Sequence, residues 1–193
     1  MKAKTPKQPT SHAGRGRVWE KLLELEHSRI ERQNRGVVFR TPPNVQLLGK
    51  LRGGAFRAVP TAVGPPDYML LLRTAGQPVA VILEAKDCAG ERWALKQLHD
   101  HQADSLARWS AVGGLGVVAL RHKKSETYWL LPWHRLAPIW NRWKTQRATG
   151  SSISRGTARL SLGDLYSIGF QWKLGVDYFD KLIEAHKEAK SEI

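Results

Sequence analysis

Acid is what this chain of 193 residues has least of. Asp and Glu together number 17 against 31 Lys and Arg, a formal net charge of +14 at pH 7. Arg32 to Pro66 contains no acid at all, and neither do the residues between Glu126 and Asp164. So cationic a balance argues against chemistry on small molecules and favours a polyanionic partner, nucleic acid first. Charge alone would equally suit a ribosomal-type or chromatin-type binder. The basic residues do not line one face of a long amphipathic helix, which argues against a membrane surface.

Cysteine is nearly absent too. Cys88 stands alone, so an intramolecular disulfide is excluded and a reducing cytoplasm fits. The longest apolar runs, around Met69–Leu72 and Val79–Leu83, are too short to span a bilayer. No apolar core follows the basic start MKAKTPKQPTSHAGRGR, so a secretory leader is not expected. No repeat is visible. The expectation is a cytoplasmic, nucleoid-associated protein with one domain over residues 16–193. A flexible basic arm over residues 1–15 precedes it, and Arg15 at its end and Arg17 just after it are candidates to lie on phosphates.

Apolar periodicity then gives the elements. Val18–Gln33 reads as a helix with Val18, Leu22 and Leu25 on one stripe, extended by Trp19, Leu23 and Ile30. Glu20 lies at the margin of that stripe, and both a solvated surface position and a place in a site stay open for it. Val37–Arg40 reads as a strand cut off by Pro42-Pro43. Residues 43–63 read as a projecting basic hairpin, with Gly53-Gly54 joining Val45–Arg52 to Ala55–Val59. Arg40 just before it, and Lys50, Arg52 and Arg57 on it, are candidate phosphate contacts. Leu47, Leu51 and Phe56 could bury against a partner chain or stack on bases.

Next come two apolar strands, Tyr68–Arg73 and Val79–Ala85, joined by a turn at Ala75–Pro78. A loop at Asp87–Arg92 leads to a helix over Trp93–Trp109, stopped by Gly113-Gly114. The strands Leu115–Leu120 and Thr127–Trp133 follow, and strand, helix, strand implies a right-handed parallel crossover. His99 and His101, two apart on that helix, would fall on different faces, which argues against a zinc pair. A helix over Leu136–Arg147 carries Trp140 and Trp143 amid Arg142, Lys144 and Arg147, a setting for base stacking and phosphate contact. Thr145–Arg159 reads as mobile. Phe170–Trp172 reads as a short edge strand. Val176–Ala189 reads as a final helix with Val176, Phe179, Leu182, Ile183 and His186 inward. The fold class is α/β, a mixed central sheet flanked by helices.

The chemistry gathers in the strand pair. Glu84 and Lys86, two residues apart on a strand, share one face, and the turn brings Asp67 alongside them. Two carboxylates and an ammonium at the end of an apolar hairpin are costly to bury unless they bind something. A divalent cation and a phosphodiester would satisfy all three. Asp67 and Glu84 offer hard oxygen ligands suited to Mg²⁺ or Mn²⁺. Lys86 can position an attacking water or stabilise charge developing on phosphate. Asp87 could be a third acid, although a loop position fits it better. Cys88 has no base partner placed by sequence and reads as a small structural residue.

Pro66-Asp67 followed by Glu84-Ala85-Lys86 matches the PD-(D/E)xK nuclease pattern. The wider run GPPDY…VILEAKD…LHDHQADSLARW…GGLGVVAL…YWLLPW resembles the RecU-type Holliday junction resolvases. The resemblance extends from Gly16 to Tyr178, with Arg40-Thr41-Pro42-Pro43 and Val176-Asp177-Tyr178 also fitting. It implies a restriction-endonuclease-like core and a homodimeric, Mg²⁺-dependent endonuclease that cuts four-way DNA junctions symmetrically in recombination and repair. By position, Asp67, Glu84 and Gln102 match the family's metal-binding residues and Lys86 its transition-state stabiliser. Glu20 matches a helix-one acid of such nucleases, and the Val45–Val59 hairpin matches the stalk that enters the junction. The family's Thr ligand two residues before the aspartate is here Pro65, so either its carbonyl serves or one ligand is missing. Two other readings accompany the resolvase. One is a nuclease of the same superfamily acting on flap, single-stranded or general duplex DNA. The other is a catalytically inactive basic DNA-binding protein that modulates a recombinase, which stands as a further candidate partner.

Overall fold

The computed structural model describes residues 12–42, 45–50, 53–54, 56–60, 64–149 and 159–191. Helix α1 (His12–Arg32) begins six residues before Val18, because residues 12–17 carry almost nothing apolar for a periodicity to register. Of the arm expected over residues 1–15, residues 1–11 lie outside the described residues. The inner stripe of α1 is Trp19, Leu23 and Ile30, joined by the buried Glu26 and His27. Val18 and Leu25, expected on that stripe, are 50% and 61% exposed. The buried polar pair Glu26 and His27 disguised the true i, i+4, i+7 face. Glu26 accepts the Gly175 N–H, and His27 Nε2 lies 3.1 Å from the Tyr178 hydroxyl. Burial drives the His27 pKa down to about 3, so its imidazole is neutral.

Strand β1 (Gly36–Arg40) follows, and Val38 gives its N–H to Glu31 Oε1 at 3.1 Å. Strands β2 (Val45–Lys50) and β3 (Phe56–Pro60) pair antiparallel as a two-stranded sheet of their own. Gly53 and Gly54 between them have φ of +96° and +86°, a left-handed turn that other residues adopt only under strain. Lys50 and Arg57 are exposed on this hairpin. Leu51, Arg52 and the side chains of Leu47 and Phe56 lie outside the described residues.

The body is a six-stranded sheet. Strands β4 (Tyr68–Leu72) and β5 (Val79–Cys88) precede the short β6 (Trp93–Ala94) and helix α2 (Asp100–Ala111). Then come β7 (Leu115–His122), β8 (Thr127–Pro132), helix α3 (Trp133–Ala148), β9 (Arg159–Leu160) and helix α4 (Leu162–Ile168). Strand β10 (Phe170–Trp172) and helix α5 (Tyr178–Ser191) end the described chain. The sheet order is β1-β4-β5-β7-β8-β10, and only β5 and β7 run parallel, the rest antiparallel. The parallel crossover through α2 is therefore present, as is the edge position of Phe170–Trp172.

Helices cover both faces. On one, α1 and α5 pack Trp19, Leu23, Tyr178 and Leu182 against Leu70, Leu83, Val117 and Leu130. On the other, α2, α3 and α4 pack Leu106, Leu136, Trp140, Trp143 and Leu165 against Ile82, Val118, Leu120 and Leu131. Trp140 and Trp143 are each 5% exposed, with ring centroids 4.8 Å apart, so they belong to this core and are not free to stack on bases. With Trp133 and Leu136 they form an i, i+3, i+7, i+10 stripe on α3.

The expected helix over Trp93–Trp109 is broken. Trp93–Ala94 pairs instead with Arg159–Leu160, a 3₁₀ turn spans Leu95–Gln97, and the α-helix starts at Asp100 with His99 as its cap. Pairing with a segment 65 to 67 residues away leaves no local mark in sequence. β5 runs to Cys88, so Asp87 lies in a strand and not in a loop. Residues 150–158 lie outside the described residues, while α3 continues to Ala148. Val176, expected inward, is 71% exposed, because α5 begins two residues after it. Among the described residues no helix is long and apolar enough to cross a membrane.

Candidate active site

Alternation along β5 decides which side chains meet. Val81 and Leu83 face α1, so Ile82, Glu84 and Lys86 face α2, and Asp87 belongs with the first group. Asp67 precedes β4, whose register sets Tyr68 opposite Leu83. This brings Asp67 to the Glu84–Lys86 stretch, where its Oδ2 accepts the Ala85 N–H at 2.8 Å. From across the crossover, Gln102 in the first turn of α2 reaches down. Its Nε2 donates to Glu84 Oε2 at 2.7 Å, and its Oε1 accepts from Lys86 Nζ at 2.8 Å and from the His99 N–H at 3.0 Å. Lys86 Nζ stands 3.5 Å from Glu84 Oε2. Asp67, Glu84, Lys86 and Gln102, which are scattered over 36 positions, thus form one connected polar cluster.

The Glu84 side chain is 2% exposed. Burial, and then the charge of Asp67, push its pKa up to about 8 against the opposing pull of Lys86. A hydrogen bond shared with the Asp67 carboxyl adds to the rise. At neutral pH Glu84 therefore keeps its proton, which a hard cation would displace. Two carboxylates and an amide oxygen on one face, rimmed by an ammonium, fit Mg²⁺ or Mn²⁺ in ligand type. The amide of Gln102 is committed to Glu84, Lys86 and His99 in this arrangement, so ligation by its oxygen requires the amide to turn.

A cleft of about 360 Å³ opens beside the cluster. Glu20, Asp67 and Gln102 all line it, so the helix-one acid does reach the site. Glu20 Oε2 accepts from Arg40 Nη2 at 2.5 Å, and Arg40 Nη1 donates to Glu24 Oε1 at 2.5 Å. Arg40 thus bridges two carboxylates where the sequence had suggested a phosphate contact. Thr41, Tyr68 and His101 also line the cleft, and none of the three was singled out as a functional residue from sequence. Each had a signal in the family resemblance: His101 beside Gln102, Thr41 within Arg40-Thr41-Pro42-Pro43, and Tyr68 beside Asp67. The rings of His99 and His101 stack at 5.6 Å and 9°, contrary to the expectation of different faces, because His99 is the helix cap. Pro65 lines the cleft as well.

The other basic residues divide. Lys144 is paired with Asp100 at 2.7 Å, and the Arg147 guanidinium lies 5.8 Å from the Trp143 ring centroid. Lys50, Arg57 and Arg142 are exposed. Arg15 and Arg17 belong to the first turns of α1.

No curated protein sequence matches this chain. The family described as RecU, Recombination protein U, matches residues 14–182, which takes in the cleft, both helices that flank it and the whole six-stranded sheet. On that match and the clustering of its motif residues, the chain belongs to the RecU family of recombination proteins.

Proposed function

We propose that this protein is a metal-dependent, structure-specific endonuclease that resolves four-way DNA junctions by paired nicks. The observation that carries the reading is the convergence of Asp67, Glu84, Lys86 and Gln102 in one polar cluster of a strongly basic chain, with Asp67 and Gln102 lining the cleft beside it. A bound Mg²⁺ or Mn²⁺ would polarise a phosphoryl oxygen and acidify a water. Asp67 would hold it with a carboxylate oriented by the Ala85 N–H. Glu84 would first give up the proton it keeps at neutral pH. Gln102 would release Lys86 as its amide turns, freeing Nζ to stand against negative charge growing on the scissile phosphate. Glu20, now held by Arg40, would be a further carboxylate at the cleft for orienting water. Exposed Lys50 and Arg57, with Arg142 on α3, are surfaces for the DNA backbone.

One such site cuts one strand, so symmetric resolution calls for a two-fold dimer. The hairpin β2–β3 is the natural candidate for the junction centre. The deciding experiment compares cleavage of a four-way junction, a flap and a plain duplex in Mg²⁺ at one salt concentration. Paired symmetric nicks confined to the junction are expected, abolished in Asp67→Ala and Glu84→Ala while junction binding persists. Cleavage that survives in both variants would remove the assignment. Equal rates on all three substrates would keep the nuclease and discard the junction.

A further inference from the structure

The hairpin leaves the body of the protein at Arg40 and returns at Gly64–Pro66, and its two roots meet beside Asp67. On the outgoing root, the Thr41 N–H donates to the Asp67 carbonyl oxygen at 3.0 Å, and Thr41 Oγ1 donates to the Pro66 carbonyl oxygen. Asp67 is thereby held twice. The Thr41 amide fixes its main chain, with the Thr41 hydroxyl holding the preceding Pro66, and the Ala85 N–H fixes its carboxylate. Only two rotatable side-chain bonds separate those two anchors, so there is little slack to absorb a movement of the root. The neighbouring prolines Pro42, Pro65 and Pro66 lock their own φ angles and stiffen both legs. The residue before Thr41, Arg40, holds the other acid at the cleft, Glu20. Thr41 and Pro65 themselves line the cleft, so the root of the hairpin and the wall of the site are one piece of chain.

We propose that Thr41 is a positioning residue that ties the root of the hairpin to the metal-ligating aspartate, so that DNA held by the hairpin sets the placement of Asp67. The proposal rests on the junction-nuclease reading above and extends it: selectivity for a branched substrate is expressed at the metal site, not only in binding. Thr41 touches neither substrate nor reacting atoms in this role, and acts through Asp67.

The test is Mn²⁺ affinity of the full chain, measured free, with a four-way junction bound, and with a duplex of the same arm sequence. A Lys86→Met background keeps the DNA uncut. The junction is expected to tighten Mn²⁺ binding more than the duplex does. Thr41→Val, which keeps the shape and the amide and loses the hydroxyl bond to Pro66, should cut that junction-specific gain by roughly two- to tenfold, the worth of one part-buried hydrogen bond. Thr41→Ser should restore it, and DNA affinity without metal should not move. In the cutting-competent protein the junction-to-duplex rate ratio should fall in parallel, through kcat and not KM. No junction-specific gain in the Thr41 protein, or a gain fully retained in Thr41→Val, overturns the proposal. A gain that depends on Thr41 in a protein that cuts no DNA would sink the nuclease reading while leaving this coupling. Selective cutting of the junction that is indifferent to Thr41→Val would do the reverse.

Discussion

Replacing Glu84 by Gln should stabilise the metal-free protein, and by more the higher the pH. The carboxyl is buried beside Asp67, which together raise its pKa from 4.5 to about 8. A group whose folded pKa lies above its unfolded value keeps its proton in the native state while the unfolded chain gives it up. Stability from this source is full below pH 4.5 and is lost as pH climbs towards 8. Each pH unit inside that window is worth about 1.4 kcal/mol. Integrated from about pH 5.5 to about pH 8, the loss comes to about 3 kcal/mol. A Gln at position 84 keeps the shape and an acceptor for the Gln102 amide, and carries none of this loss. His27 runs the other way: its folded pKa of about 3 lies below 6.5, so it adds stability as pH rises through the unfolded value. Subtracting wild type from Glu84→Gln at each pH cancels that contribution. Urea unfolding of both proteins in EDTA across this range measures the difference. A gap that stays flat with pH, or one that favours the wild type increasingly at high pH, would refute a protonated carboxyl at the heart of the site.

The same proton should leave when a divalent cation enters. Calorimetry of Mn²⁺ binding at pH 7 in two buffers of different ionisation heat should show about 0.9 proton released per site; a heat independent of buffer would argue otherwise. Lys86→Met should cost about 10²–10³ in junction cleavage while gel-shift affinity for the junction stays within about twofold of the wild type. Loss of binding in step with cleavage would make Lys86 a DNA contact instead. Trp143→Ala should lower stability by roughly 3–5 kcal/mol, read from denaturant midpoints. At a temperature where the variant is folded, its DNA affinity should be unchanged, whereas a base-stacking Trp would lose affinity and little stability.

The β4–β5 pair, the parallel step to β7 and the edge strand at Phe170 were legible because short apolar runs bounded by turns carry their own period. Asp67, Glu84 and Lys86 were legible for the same reason: alternation on a strand fixes which residues share a face. Gln102 came only through its resemblance to the family, since nothing in the first turn of a helix says that its amide reaches a strand 16 to 18 residues earlier. Where polar residues occupy buried positions, the pattern misled. Glu26 and the Nε2 of His27 find their partners in Gly175 and Tyr178, about 150 residues away, and so Val18 and Leu25 were given places on a face they do not share. Trp140 and Trp143 misled differently. Their spacing already spelled a core stripe, but the charges between them drew attention to the opposite face of the helix. The ties of Thr41 to Pro66 and Asp67 span a hairpin and leave no periodic trace.

The bond from the Val38 N–H to Glu31 has a bearing on how copies of this chain can assemble. β1 is an outer strand, and an outer strand with free amides invites another strand to add to it. Here a carboxylate from the end of α1 already occupies a central amide of that row. A neighbour adding to the row would have to displace it, with desolvation of both groups and a carboxylate left facing the new backbone. The exposed Val37 and Phe39 on this strand therefore sit beside a guarded edge. Unwanted growth of the sheet from chain to chain is discouraged along this edge.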